Sequence, residues 1–290
     1  MRNSRKTNPK FKLKIDLNNL IVQQDFNSFL EVDPIQFPRR FKKAQEQEIV
    51  GLFSALLAYG RVAAIRRAIQ DWIDLCHGDP LHCILNDTSH DALQRYTGWG
   101  YRFTQGKDLA KLSIGLKSIY TQYSSLGEAF KEWDDPTSPH LIPALQTFHT
   151  TLHTASMHIE GGRSFSHFFS SPFQKSALKR FHLFLRWMVR GPDGVDLGLW
   201  SFLGPHRLLM PVDVHVFRLS QAFGWTHRKS LSLNTVLEIT HQVKELDAQD
   251  PTRFDFALAH LGISRSCKGK YVESVCNQCT LFNQCTLRLT

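Results

Sequence analysis

Long apolar runs are missing from this 290-residue chain. The longest, residues 49–59, is far too short to cross a bilayer, so no membrane partner is expected. Strand-like alternation is too weak to build a sheet, and repeats and low-complexity tracts are absent, which leaves helices as the material of an all-α fold. Acids are missing before Asp16, and the cations there (Arg2, Arg5, Lys6, Lys10, Lys12 and Lys14) lead into no apolar segment. Residues 1–24 therefore read as a basic flexible arm and not a secretory signal, with the cytoplasm as the expected compartment.

Acids are missing again from residues 161–192, which hold Arg163, Lys175, Lys179, Arg180, Arg186 and Arg190. A second acid-free span, 214–237, carries Arg218, Arg228 and Lys229. With a net charge of +9, this separation suggests a phosphate-facing surface; a merely solvated basic face is the other reading.

Cysteine is scarce, but four of the six residues fall close together near the end: Cys267, Cys276, Cys279 and Cys285, spaced C-x8-C-x2-C-x5-C. Zinc ribbons usually present two C-x-x-C pairs and this segment has one, so a four-cysteine iron–sulfur cluster fits the spacing better, with zinc as the alternative. A disulfide framework is not expected in a chain long enough to bury a core without staples. Residues 265–290 thus read as a cysteine cluster loop, whose Lys268 and Lys270 could grip a phosphate backbone. Cys76-His77 and His82-Cys83 imitate a metal site but read as buried thiols at a helix end.

Helical recurrence of apolar residues marks 45–76, 107–123, 143–153, 174–190, 214–223, 233–246 and 252–261, with Gly51 and Gly60 as possible breaks in the first. On 174–190, Leu178, Phe181, Leu185 and Met188 form the expected buried stripe, while Lys179, Arg186 and Arg190 fall together on another, basic face with His182 nearby. The next helix starts at Pro211-Val212-Asp213-Val214-His215, where Asp213 is a suitable N-cap; a purely capping role is one reading of it.

That segment, extended to Arg218, resembles the Val-Asp-x-His helix start of the helix-hairpin-helix DNA glycosylase superfamily, the endonuclease III and adenine glycosylase group. The terminal cysteines resemble the iron–sulfur loop of the same group, which ends in the same C-x2-C-x5-C. Residues 48–61, 176–190, 196–200 and Asp255-Phe256-Ala257-Leu258 are also similar to one bacterial family, the domain of unknown function 2400, over roughly residues 45–262. Two departures from the superfamily stand out. No Leu-Pro-Gly-Val-Gly-type hairpin is recognisable, and the first cysteine gap is eight residues where endonuclease III has six. The archaeal oxoguanine glycosylases similarly lack a standard hairpin and carry their lysine on a helix roughly thirty residues before the aspartate. Lys179 lies thirty-four positions before Asp213, with Lys175 as the alternative.

The resemblance implies a two-lobed helical glycosylase-like domain over 25–264, a [4Fe-4S] cluster on Cys267, Cys276, Cys279 and Cys285, and a monomer acting near the nucleoid. It implies a base-excision glycosylase with AP lyase activity on double-stranded DNA carrying a damaged base, with 8-oxoguanine as the first guess. Lys179 would attack C1′ and Asp213 would stabilise the oxocarbenium-like sugar; a plain phosphate contact is the other reading of Lys179. Arg180, Arg186, Arg190, His215, Lys268 and Lys270 would bind DNA. Phe53, Tyr59, Trp187 and Trp200 are conceivable walls for an extruded base, although aromatics at helical spacing usually pack inside. The rival reading is a non-enzymatic iron–sulfur DNA-binding protein of the same fold.

Overall fold

The computed structural model describes residues 9–24, 26–264, 267 and 269–289. Among them the chain is mostly helical, as expected; the strands form a single hairpin of two residues a side. Helix α1 (Pro9–Gln23) is followed by the short α2 (Phe26–Leu30). Within α1, Leu13, Leu17 and Leu20 recur at helical spacing and are buried. Its polar side is tied down as well: Lys10 pairs with Glu245, and Gln284 Nε2 donates to Asp16 Oδ2 at 2.6 Å. Residues 9–23 are therefore a docked helix and not a flexible arm. The basic charge of this segment masked a leucine stripe.

The span 45–76 divides into α3 (Ala44–Leu57) and α4 (Val62–Leu75). Gly60, at φ +106, makes the break in a conformation that side chains resist. There follow α5 (Pro80–Asn86), α6 (Ser89–Arg95), the hairpin β1 (Gly100–Tyr101) and β2 (Thr104–Gln105), and α7 (Gly106–Gln122). Then come α8 (Leu126–Trp133), α9 (Ile142–Ala155) and α10 (Arg163–Phe168). Helices α5, α6 and α9 pack around α7. Cys76 and Cys83 are buried free thiols at the α4–α5 junction, in accord with their sequence reading.

The remaining elements are α11 (Lys179–Val189), α12 (Val214–Ala222), α13 (Leu233–Lys244), α14 (Asp255–Ser264) and α15 (Glu273–Cys276). Helix α11 packs along α3, and α12 packs on α14. Glu48 of α3 locks the centre. Its buried carboxylate accepts from Trp200 Nε1 (2.7 Å), Gly127 N (2.9 Å), Leu126 N (3.0 Å) and Tyr120 OH (3.1 Å). Four donors make such a buried carboxylate tolerable where an unpaired one would be costly. Gly127 is needed there: a Cβ would come within 2.8 Å of Trp200 Nε1.

Helix α11 differs from its sequence reading. From Phe181 to Val189 only Leu183 escapes full burial, so the expected basic face is interrupted at Arg186, and Lys179 and Arg180 are left half-buried at the start of the helix. His182, with a ring nitrogen unpartnered, is pushed down to about 3 by burial and then by His140. The helix is central because α3 covers one side and acids from elsewhere in the chain neutralise the other.

Candidate functional site

A cleft of about 680 Å³ opens where α11, α12, α14 and the α3–α4 junction meet. Lys179 and Asp213, thirty-four positions apart, both line it, together with Tyr59, Arg61, His215 and Asp255. Three helix starts create this convergence. Lys179 is the first residue of α11, and the residue before it, Leu178, sits at φ +48. That left-handed conformation is costly for a leucine, and burial of its side chain holds it there. Asp213 caps α12, accepting from His215 N (2.8 Å) and Val216 N (2.9 Å) through one oxygen, Oδ1. Asp255 opens α14.

Asp255 is the member of this group that sequence reasoning passed over. Its Oδ2 accepts from Arg186, while Oδ1 is buried without a partner. Burial pushes its pKa up to about 6, with Asp213 adding to the rise and Arg186 and Lys179 opposing it. Asp255 thus feels both of the residues proposed for chemistry. The available signal was an acid at the head of the otherwise apolar Asp-Phe-Ala-Leu helix. His215 also reaches the cleft, with Nδ1 buried and unpartnered. Gly262 lets α14 approach it closely, since a Cβ would lie 2.7 Å from the His215 Cβ.

The arginines of α11 are not a phosphate grip. Arg186 is 2 % exposed, donates to Asp196 Oδ1 from Nη2 (3.0 Å) and Nε (3.1 Å), and also pairs with Asp255. Burial pulls its pKa down, but Asp196 and Asp255 outweigh that and raise it overall. Arg190 donates to Asp196 Oδ2 (2.9 Å) and Asp250 Oδ2 (2.7 Å) and pairs with Asp193. Both guanidiniums are saturated by carboxylates, so the expected DNA contact by Arg186 and Arg190 is corrected to an internal ion cluster. Arg180 lines the cleft but is anchored, donating to Leu56 O (2.8 Å), His167 O and Ser170 Oγ (3.2 Å), with Tyr59 5.2 Å beneath it. Burial pulls it down to about 10. Of the four aromatic wall candidates, Phe53, Trp187 and Trp200 are core; Tyr59 faces the cleft. Lys270 is exposed, and Lys268 lies outside the described residues.

Cys267, Cys276, Cys279 and Cys285 line one cavity, whose remaining walls are leucine, alanine, valine and phenylalanine side chains. Cys285 is pushed up by burial, and the charges of Cys267, Cys279 and Cys276 add to the rise. Val272 N donates to Cys276 Sγ at 3.4 Å, one backbone contact that orients a sulfur. The donor set is all thiol and the walls are apolar, which fits a metal centre with thiolate ligands. Among the described residues no His, Cys, Asp or Glu group closes on a single ion point, and no helix is long and apolar enough to cross a membrane.

No curated protein and no solved structure matches the chain. Residues 33–264, spanning α3 to α14, match the family described as protein of unknown function (DUF2400), and the chain belongs to that family.

Proposed function

We propose that this protein is a DNA base-excision glycosylase with AP lyase activity, built on a helix-hairpin-helix glycosylase-like fold. The observation that carries the reading is the convergence of Lys179 and Asp213 on one cleft large enough to admit an extruded nucleotide. The unprotonated amine of Lys179 attacks C1′ of the deoxyribose, and the bond from C1′ to the base nitrogen breaks with its electron pair leaving on the base. Asp213, held by two backbone N–H groups through Oδ1, keeps a carboxylate beside the cationic sugar. Asp255, with a carboxyl raised toward neutrality, is suited to carry the proton that the departing base takes up. The nitrogen of the C1′ adduct loses a proton and its lone pair expels O4′, which takes up a proton as the ring opens. The resulting protonated Schiff base permits loss of a C2′ proton and β-elimination of the 3′ phosphate.

The four thiols would hold a [4Fe-4S] cluster, and zinc on the same ligands is the alternative. When bound, such a centre supplies folding energy to residues 267–285. An oxidised base, 8-oxoguanine first, is the proposed substrate.

The test is a base-release screen over damaged duplexes together with borohydride trapping. Release with trapping, both lost in Lys179→Gln, is the expected result. Trapping that survives Lys179→Gln moves the nucleophile to another residue, and no release from any lesion refutes the enzyme. Iron and sulfide in stoichiometric amounts are expected in the purified protein; zinc with neither overturns the cluster.

A further inference from the structure

Apart from the interior ion cluster, a second set of cations lies in a stretch of sequence without acids. Residues 49–70 contain no Asp or Glu, and within them Arg61, Arg66 and Arg67 are exposed at the start of α4. None of the three makes an ion pair among the described residues. Arg67 is set apart from the others because Asp71 stands one turn along and offers a counter-ion. Arg66 has Gln70 at the same spacing and no such relief.

Position ties these charges to the cleft. Arg61 and Val62 line it, and Arg66 continues the Val62 face by one helical turn. Arg66 also stands near Arg40, which is pulled down first by burial and then by the Arg66 charge. Arg40 is fixed without a carboxylate among the described residues: it donates to Gln36 Oε1 (2.7 Å) and Gln70 Oε1 (2.9 Å) and lies 4.3 Å over the Phe37 ring. Two neighbouring guanidiniums without an acid repel each other, and an anion placed between them removes that repulsion. At the other end, Gly60 brings the backbone against Arg102 at the tip of the β1–β2 hairpin; a Cβ there would lie 3.2 Å from Arg102 Nη1. Arg102 rests over Tyr59 (5.9 Å) and over the exposed Phe103 (5.8 Å). These ring contacts hold the guanidinium without neutralising it.

We infer that Arg61, Arg66 and Arg102, with Arg40 behind them, form a track along the rim of the cleft for the phosphate backbone of duplex DNA. Arginine forks match phosphate oxygens two at a time, and an open row of them suits a linear polyanion. The choice of DNA as that polyanion rests on the glycosylase reading; the track itself does not.

The experiment measures binding of undamaged duplex by fluorescence anisotropy across a salt series. Wild type is compared with Arg61→Ala, Arg66→Ala, Arg102→Ala and the triple variant, each checked for an unchanged thermal melt. Arg228→Ala is the control: it lies in an acid-free sequence span, but its side chain pairs with Glu238. Each track variant is expected to lower the slope of log K against log salt by about 0.9, the triple by roughly three times that, and Arg228→Ala by much less. A triple variant with the wild-type slope overturns the track even where base release is intact. Tighter binding to a single strand than to the duplex overturns the duplex assignment. A slope lost in the triple variant with no lesion ever excised keeps the track and removes the glycosylase. Failure of wild type to bind any duplex at low salt overturns both.

Discussion

Two arginine groups of this protein look alike in sequence and are opposite in structure. Arg186 and Arg190 lie in a span with no acid for thirty-two residues, yet each is clamped by aspartates drawn from 193–196 and 250–255. Arg61 and Arg66 lie in an equally acid-free span, and no carboxylate reaches them from anywhere described. Local charge in a sequence is therefore a poor guide to charge at a surface, because counter-ions arrive through tertiary packing. The first group holds the interior together, and the second is left without a counter-ion among the described residues.

The largest effects should come from breaking the sealed group. Arg186→Met leaves Asp196 and Asp255 buried without their shared cation and is expected to destabilise the protein by about 3–5 kcal/mol, read from urea denaturation. A loss below about 1 kcal/mol would mean that the cluster is hydrated and unimportant to folding. Asp213→Asn keeps a helix cap but removes the charge, so base release should fall about 10²–10⁴-fold with the melting temperature nearly unchanged. A fall in melting temperature that accounts for the lost activity would reduce Asp213 to a cap.

Asp255→Asn sharpens the comparison through pH. The carboxyl is raised from an ordinary unfolded value near 4 to about 6, so between these the native state holds a proton that the unfolded chain has released. Stability of wild type relative to Asp255→Asn should therefore fall as pH rises from about 4 to about 6 and level off above. Urea midpoints at both ends of that window check it, and a gap that widens in favour of wild type with rising pH would show the shift to be in the other direction. The smallest effect is expected in the open group: Arg66→Ala should change stability by no more than about 0.5 kcal/mol, since the side chain is exposed and makes no ion pair among the described residues. A larger loss would reveal a structural partner for that guanidinium.

Helix starts were largely legible, because caps are local chemistry. Asp213 caps α12 as its place before an apolar-periodic run suggests, and the starts near 107, 143 and 233 fall within a residue of their expected positions. The expected start at 174 was not, since Leu178 adopts a left-handed conformation that no propensity of leucine favours and α11 opens only at Lys179. Docking of α1 was missed for a related reason: three leucines among lysines look weak until the end of α13 and the C-terminal tail come against the helix.

Composition and periodicity alone determined a helical protein without a membrane span, with four cysteines close enough in the chain to share one site. Those properties depend on neighbours in sequence, where spacing fixes geometry. Tertiary structure alone decided that Lys179, Asp213 and Asp255 face one cleft, that Arg186 is sealed and that Arg66 is open. Each of those outcomes is set by which distant side chain comes within a few ångströms, and Coulomb and desolvation energies at that range are far larger than any local preference.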